Sequence, residues 1–212
     1  MVRGDHITQK AFGSGHNFYH AFMVAQYGFL IAEDPETAIL GWVACLCHNT
    51  DHMFHKDQVE HIVRYYLDEG TGFTALQKDL VLEAVLEHSK KNDSKDNPVT
   101  VVLKDADRLG NIGPLHWLRS AQFRPTIQEV DPRYIRETDP TATFKNPKSI
   151  IHDIKETLLW ESWLRLPKAR KLGKPMFDEI RKFLKNIESQ FEILGLYPMP
   201  NELIVEIPEE RE

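Results

Sequence analysis

Cysteine, long apolar runs and positive charge are all scarce in this chain, and each scarcity excludes a class of protein. The two cysteines, Cys45 and Cys47, lie two positions apart in an apolar stretch. They would point to different sides of a helix, so we expect buried reduced thiols rather than a disulfide. No apolar run reaches the roughly 18 residues of a membrane-spanning helix, and the opening MVRGDHITQKAFG lacks the apolar segment of a signal peptide. We therefore expect a cytoplasmic protein that does not associate with membranes.

The charge balance and the length narrow the possibilities further. The net charge of -6 at pH 7 is unlike the basic stripe of a dedicated nucleic-acid binder. The 212 residues, 42% apolar and 27% charged, are enough for a soluble domain with its own core. The sequence has no internal repeat and no glycine-rich phosphate loop. We expect one domain over residues 1–196, with a core at 12–122, a loop at 123–147 and C-terminal helices at 148–195, before a tail at 197–212.

Helix signals recur along almost the whole chain and predict an all-α, multi-helix bundle. Three N-terminal capping patterns are present, namely Asp34-Pro35, Thr74-x-x-Gln77 and Asn97-Pro98. The first long helix, HNFYHAFMVAQYGFLIAE, carries an apolar face at spacings of three and four, made of Phe18, Phe22, Ala25, Phe29 and Ala32. The β-branched run from Val99 is interpreted as helix because Val102, Ala106 and Leu109 continue a helical face.

The C-terminal half departs from this regular pattern. Between residues 123 and 147, four prolines and scattered arginines make a segment too long for an ordinary connector, so we expect a lid or a binding segment. Two long amphipathic helices follow, SIIHDIKETLLWESWLRL and PMFDEIRKFLKNIESQFEILG, and their exposed aromatic-rich faces could pair in a homodimer. Their core candidates are Trp160, Trp163, Phe177, Phe183 and Phe191. A short strand, ELIVEI, is expected near the C-terminus.

Three separate helical stretches carry metal-ligand residue types beside an apolar run. These clusters are His16-x-x-x-His20, His48-Asn49-x-Asp51 and Asp105-x-Asp107. Imidazoles and carboxylates that converge from different helices form the usual protein cage for Mn, Fe, Mg or Zn. This convergence favours a metal-assisted hydrolase.

The spacing within each cluster limits what it can do. The two histidines of the first cluster are four apart, so we expect them on one helix face. The adjacent His48 and Asn49 reach one ion only from a helix end or an irregular turn. Asp105 and Asp107 cannot share a helix face, so we expect at most one of them to point at a site.

The order His20, His48-Asn49, Asp107 resembles the HD-domain superfamily of metal-dependent phosphohydrolases. That family has a lone His, a His-Asp pair and a distant Asp. The segment HNFYHAFMVA is similar to its first ligand helix, and KDADRLGNIG is similar to its last-ligand motif, which is the more specific match. The closing helices resemble, more loosely, those of small bacterial members that act on nucleoside triphosphates. The resemblance covers residues 12–122 well and implies an HD-type helical bundle.

The resemblance also implies a metal and a reaction. One divalent ion, which can be Mn, Mg, Fe, Ni, Co or Zn, would be held by His20, His48, Asn49 and Asp107. It would activate a water for attack on phosphorus in a small phosphorylated molecule, which we expect to be a nucleotide. Asn49 stands where the family has Asp, and a neutral amide weakens affinity for a hard divalent ion. A non-catalytic protein that binds metal or nucleotide is therefore one alternative.

The remaining polar residues supply candidates for the other roles in such a reaction. The proton acceptor is sought among His16, Asp51 and Asp105. The cations that could bind phosphate are Lys104, Arg108, Arg119, Arg124 and Arg133. Arg108 is favoured, because it directly follows the expected metal-binding aspartate.

Further histidines leave a second metal open. His52 and His88 lie between the His-Asn pair and the final Asp, where two-metal phosphodiesterases and di-iron oxygenases of the family place extra ligands. A di-iron HD-type oxygenase is thus a second alternative. The larger two-metal signature motifs are not visible, which favours one metal, with His52 and His88 as pocket residues. We expect no ligand role for His6, His116 and His152, since each stands alone.

Overall fold

The chain folds into a bundle of α-helices, as the capping and periodicity signals predict. A computed structural model describes residues 1–9, 15–70, 72–143 and 145–198. Its α-helices are α1 (Val2–Thr8), α2 (Phe18–Ile31), α3 (Pro35–Cys47), α4 (Thr50–Met53), α5 (Val59–Glu69), α6 (Ala75–Glu87), α7 (Pro98–Gly110), α8 (Pro114–Phe123), α9 (Ile150–Glu156) and α10 (Pro167–Ile193). Short 3₁₀ helices span Pro132–Tyr134 and Thr157–Trp163. The described residues form no β-strand, only isolated bridges.

Helices α2, α3 and α7 pack against one another at the centre of the bundle. Glycines let their backbones approach closely. A Cβ built on Gly28 would lie 2.7 Å from Cys45 Sγ, and one built on Gly41 would lie 2.6 Å from Val102 Cγ1. Larger side chains there would force the helices apart. This packing brings the start of α2 beside the ends of α3 and α7, where the polar clusters lie.

The structure confirms the three predicted helix caps and the predicted state of the cysteines. Asp34 caps α3 by accepting the backbone N–H of Thr37 (2.9 Å). Thr74 and Gln77 form the reciprocal capping box of α6. Asn97 caps α7, and the β-branched run after it is helical. The two cysteines are buried and free, as expected.

The first long helix differs from the prediction in its start and in its buried face. The side chain of Asn17 accepts the backbone N–H of His20 and caps α2, so His16 precedes the helix rather than sharing one of its faces. Phe22 and Phe29 are 42% and 52% exposed. The buried face instead holds His20, Ala21, Val24, Ala25, Gly28 and Ile31. Small residues occupy this face because α3 and α7 cross it closely.

The C-terminal helices also differ from the prediction. The first is short, since α9 changes into the 3₁₀ helix Thr157–Trp163, and the second begins at Pro167 rather than at Pro175. Pro175 lies within α10 on its exposed side, where the carbonyl that loses its partner can be hydrated. Phe177 is buried, whereas Trp163 is 39% exposed and is not a core residue. The expected strand ELIVEI lies outside the described residues.

The long connection between α8 and α9 is fastened to the bundle by a half-buried ammonium group. Lys155 Nζ of α9 donates to the carbonyl oxygens of Tyr134 (2.7 Å), Ile135 (2.5 Å) and Glu137 (3.0 Å). The expected role of the connection at residues 123–147 as a lid or binding segment stays a prediction. Among the described helices, none has the length and apolarity needed to cross a membrane.

Candidate metal centre

Three side chains from three helices meet at one end of the central packing. His20 lies near the start of α2, His48 is the C-cap of α3, and Asp107 lies in the last turn of α7. Asp107 Oδ1 is 3.5 Å from Nε2 of both histidines. Ligand atoms of all three residues lie within 4.8 Å of one another, and no other group of this kind occurs in the part of the chain that the structure describes.

The backbone of α3 fixes the orientation of His48. Its Nδ1 lies 2.5 Å from the carbonyl oxygen of Cys45. Because a carbonyl oxygen only accepts, Nδ1 carries the proton and Nε2 presents a lone pair towards Asp107. Burial lowers the pKa of His48 well below its usual value and also lowers the pKa of His20. Both rings are therefore neutral, which is the form of imidazole that binds metals.

Asp107 carries the negative charge of the cluster. Burial alone would raise its pKa, but the contact with His20 holds that pKa well below its usual range. Asn111 Nδ2 donates to Asp107 Oδ1 (2.8 Å) and fixes the carboxylate. Asp107 is thus an oriented, ionised ligand candidate beside two neutral imidazoles.

The polar atoms around this cluster fit a divalent ion. Both ring nitrogens of His20, Nε2 of His48 and Oδ1 of Asn49 are buried without a hydrogen-bond partner in the described structure. Each such atom costs about 1–3 kcal/mol. In tetrahedral or octahedral shells with ligand distances of about 2.1 Å, adjacent ligands lie about 3.0–3.4 Å apart. The 3.5 Å separations are close to that spacing.

The second aspartate of the α7 motif faces away from this cluster. Asp105 is fully buried, and its Oδ2 accepts the backbone N–H groups of Arg165 (2.7 Å) and Leu166 (2.8 Å). Its Oδ1 accepts from Arg108 (3.3 Å). Burial raises the pKa of Asp105, opposed by these donors. Only Asp107 of this motif therefore lies at the cluster, and Asp105, a predicted candidate for the proton acceptor, instead joins α7 to the residues that precede α10.

Asp51 is also removed from the cluster. Its carboxylate lies 3.7 Å from His52 Nε2 and 3.9 Å from His88 Nε2. Its side chain does not line the cavity described below, whereas those of both histidines do. Asp51 therefore lies beside His52 and His88 but outside the set of residues that line the cavity.

A cavity of about 830 Å³ opens beside the cluster, with Asp107 in its wall. His16 and His52 stack in this wall with ring centroids 3.8 Å apart, and the ring of His88 lies 5.6 Å from that of His48. Cations outnumber carboxylates in the wall, with Lys90, Lys91, Lys104, Arg108, Arg119, Arg124 and Lys145 against Asp107, Asp153 and Glu156. The cavity is therefore suited to an anion near a metal.

Arg119 is held in this wall by two backbone carbonyls. Its Nε donates to Gly15 O (2.7 Å) and its Nη1 donates to Gly110 O (2.9 Å). Burial lowers the pKa of Arg119 to about 10, so its guanidinium stays charged at pH 7. The two carbonyls fix the guanidinium without neutralising its charge, which leaves that charge to act on an anion in the cavity.

The other predicted phosphate ligands are more strongly paired. Lys104 Nζ donates to both oxygens of Asp96 (2.8 and 2.9 Å), and this buried ion pair occupies its charge. Arg108 is shared between Asp105 and the Trp163 carbonyl.

Two arginines of the long connection differ in their access to the cavity. Arg124 lines it and lies 3.7 Å from Asp153. Arg133 is paired with Asp131 (2.6 Å) and does not line it, so the expectation for Arg133 is wrong.

Residues 17–112, which contain all three clustered side chains, match the HD domain family. This stretch of the chain contains an HD domain. Solved structures share the fold at low identity: a Lactobacillus plantarum protein (TM-score 0.67, 18% identity, covering 91% of this chain and 95% of its own), Bacillus subtilis YpgQ in complex with ADP (0.61, 18%, 90% and 97%), and the Listeria innocua Lin1889 protein (0.62, 13%, 91% and 98%). No curated protein matches the chain. These likenesses confirm the predicted HD-type bundle.

Part of the cavity wall lies outside the matched HD residues and gave no signal in the sequence. Ser120 Oγ of α8 donates to Asp153 Oδ2 of α9 (2.5 Å), and His116 Nε2 lies 3.9 Å from the same oxygen. Burial lowers the pKa of His116 to about 4. Trp160 and Trp163 complete the wall beyond this HD core. Only the folding of α8 and α9 against each other brings these residues together, so no local spacing could reveal them.

Proposed function

We propose that this HD protein is a metal-dependent phosphohydrolase whose substrate is a nucleotide. The observation that carries the proposal is a buried His20–His48–Asp107 cluster whose carboxylate lines a large cavity rich in cations. Hydrolysis of a phosphate ester or anhydride needs an ion that activates water and fixed cations that stabilise the growing negative charge. The proposal is supported by Asp107 of the cluster and by the cations, which lie in the wall of one cavity.

The chain's own residues have separable tasks in this reaction. A divalent ion, when bound, lowers the pKa of water and polarises a phosphoryl oxygen. Arg119, fixed by two carbonyls, binds the phosphate oxygens. Arg108 lines the cavity beside Asp107, and its Nη1 donates to the carbonyl oxygen of Trp163, which fixes that part of the wall. Among the three predicted proton acceptors, His16 is the one that lines the cavity. Burial and the neighbouring His52 lower its pKa to about 3, so its ring is neutral and orients the attacking water as a hydrogen-bond partner.

The nucleotide assignment rests on the aromatic wall. Trp160 and Trp163 line the same cavity as the cations, and Arg108 lies 5.7 Å from the centroid of the Trp163 ring. Indole faces stack on nucleobases, while guanidinium groups bind phosphates bidentately. Bacillus subtilis YpgQ, which has a similar fold, was solved in complex with ADP. A nucleotide combines the two chemistries that this cavity offers.

The competing functions differ in what they need from the site. A di-iron oxygenase needs a second group of ligands, and the described residues form one such group only. His52, His88 and Asp51 approach one another in pairs without joining it. A non-catalytic binder needs only the cavity and the ion. Turnover is therefore the property that separates it from the proposed hydrolase.

The test is the release of phosphate or pyrophosphate from a panel of nucleoside mono-, di- and triphosphates. The protein is stripped of metal and assayed with and without Mn²⁺. We expect release from at least one nucleotide, and only with the added ion. Binding of nucleotide and Mn²⁺ without release would support the non-catalytic alternative. Two equivalents of iron in the purified protein would support the oxygenase.

A further inference from the structure

The N-terminal helix α1, outside the matched HD residues, reaches the metal centre through one buried histidine. His6 is 1% exposed, and its Nε2 lies 3.4 Å from Asn49 Nδ2. Its Nδ1 lies 2.8 Å from the carbonyl oxygen of Val2. Because that carbonyl only accepts, Nδ1 carries the ring proton. Nε2 therefore accepts from the Asn49 amide.

Contacts on both sides of His6 hold α1 against the bundle. Tyr66 Oη of α5 donates to Asp5 Oδ2 (2.5 Å). The His6 ring meets Phe18 of α2 edge-on, with centroids 5.8 Å apart. The position of the His6 lone pair is therefore set by the packing of α1 against α2 and α5.

A second acceptor completes the surroundings of the Asn49 amide. Asn49 Nδ2 also donates to the carbonyl oxygen of His16 (3.0 Å). The amide has two N–H bonds, and these two acceptors use both. The opposite end, Oδ1, is buried and has no hydrogen-bond partner in the described structure. Asn49 directly follows His48, one of the clustered imidazoles.

We propose that His6 and the His16 carbonyl hold Asn49 so that its Oδ1 is the fourth protein ligand of the divalent ion. His6 is then a positioning residue for metal binding, and the inference rests on the proposed metal centre. The orphaned oxygen gains a partner in the ion, which accounts for its burial without a hydrogen bond. The protein thus surrounds the ion with two imidazoles, one amide and one carboxylate.

The same contacts explain why an amide stands where the HD pattern has a carboxylate. An Asp at position 49 would set a carboxylate oxygen against the His16 carbonyl and the His6 lone pair, all three of which are acceptors. The Asn49 amide can donate to both of these acceptors, which the aspartate of the family pattern could not do. Adding the negative charge back without changing His6 should therefore fail to improve metal binding.

The experiment measures Mn²⁺ binding by calorimetry to metal-stripped protein, with Ni²⁺ and Zn²⁺ as parallel probes. Removing the acceptor with His6→Leu should weaken Mn²⁺ binding about 10-fold, the lower end of the effect of residues that orient metal ligands. His6→Gln, whose amide oxygen can accept from Asn49, should stay within about 3-fold of the natural protein. Asn49→Asp should bind no more tightly than the natural protein.

Two controls separate positioning from general damage to the core. His152→Leu removes another buried histidine, which lies on α9 and does not line the cavity, and should leave Mn²⁺ affinity unchanged. Melting of each metal-free variant shows that it is folded at the temperature of the titration. If His6→Leu does not fold, the comparison of Asn49→Asp with the natural protein decides the question alone.

The outcomes distinguish this inference from the proposed function. Unchanged affinity in His6→Leu, or tighter binding by Asn49→Asp, would overturn the role of His6. Binding of no ion by the natural protein would overturn the metal centre and the inference together. If Mn²⁺ binds with the expected pattern but no nucleotide is hydrolysed, the role of His6 stands and the phosphohydrolase proposal fails.

Discussion

At the scale of single residues, the centre depends on one carboxylate that touches two imidazoles. Asp107→Asn removes the charge that faces Nε2 of His20 and His48. We expect Mn²⁺ affinity to fall at least about 100-fold. Mutation of residues that only hydrogen-bond to a metal ligand already lowers metal affinity about 10- to 100-fold. Asp51→Asn should change it less than about 5-fold, because Asp51 is not one of the three clustered residues. Calorimetry checks both, and equal losses would contradict the assignment of Asp107.

Arg119 is the residue on which phosphate binding is expected to depend. A lysine cannot reach both carbonyls and present two parallel donors to a phosphate. We expect Arg119→Lys to raise KM for the nucleotide about 10-fold, on the order of one lost charge-assisted hydrogen bond. Steady-state kinetics checks this result. Arg133→Lys, paired with Asp131 away from the cavity, is the matched control, and a similar rise in KM there would remove the special role of Arg119.

At the scale of helices, the approach of α7 to α2 positions the first imidazole. A Cβ on Gly110 would lie 2.6 Å from Val24 Cγ2 and 3.3 Å from His20 Cε1. Gly110→Ala should therefore cost about 1–3 kcal/mol of unfolding free energy through overpacking and weaken Mn²⁺ binding. Gly4→Ala is the control, since nothing lies within 4 Å of its added Cβ. Denaturant titration and calorimetry check both, and a neutral Gly110→Ala would contradict the packing account.

A buried ion pair joins α7 to the preceding loop. Lys104 Nζ contacts Asp96 Oδ1 (2.8 Å), and both side chains are almost fully buried. Burial raises the pKa of Asp96, but Lys104, the backbone of Asp93 and Arg165 lower it more, so the net pKa lies below the usual value. A depressed folded-state pKa stabilises the fold above about pH 3.9, and this stabilisation is lost as pH falls through the lower folded value.

The lowered pKa of Asp96 makes the free energy of unfolding depend on pH in a measurable way. Asp96→Asn leaves the Lys104 charge buried with one partner fewer and should cost about 3–5 kcal/mol at pH 7. The difference from the natural protein should begin to shrink below about pH 4, where the carboxylate of the unfolded chain takes up a proton, and should close as pH falls through the lower pKa of the folded state. Urea unfolding at pH 7 and pH 3 checks this expectation. Equal stability of the two proteins at pH 7 would contradict it.

The elements also show which parts of the structure a sequence can reveal. The starts of α3, α6 and α7 could be predicted, because a cap such as Asp34 or Thr74 acts on backbone within three residues. The buried face of α2 could not, because helix period alone does not say whether Phe22 or Val24 meets a neighbour. The ligand order of His20, His48 and Asp107 was predictable from its resemblance to HD proteins.

The contacts that orient this site were not predictable from sequence spacing. His6 meets Asn49, and Asp153 meets Ser120, only after distant helices pack together. A lone histidine or aspartate in the sequence carries no sign of such a partner. Pro175 misled the prediction of α10, because a proline on the exposed side of a helix is tolerated there.

At the scale of the whole molecule, metal binding should stabilise the bundle, because its ligands come from α2, α3 and α7. At a free Mn²⁺ concentration of about 100 times Kd, the stabilisation is about 2.7 kcal/mol. For a domain of this size, that corresponds to a rise of about 5–10 °C in Tm. Thermal melting with Mn²⁺ or with a chelator checks this rise. Asp107→Asn should show no shift, and a similar shift in that variant would place the ion elsewhere.

The most direct test of the central claim is the initial rate of phosphate or pyrophosphate release from a nucleotide as Mn²⁺ is titrated into metal-stripped protein. We expect a rate that rises with the bound ion, saturates near one equivalent and is lost in Asp107→Asn. A rate that is independent of the ion, or saturated metal binding with no release from any nucleotide, would contradict a metal-dependent phosphohydrolase built on His20, His48 and Asp107.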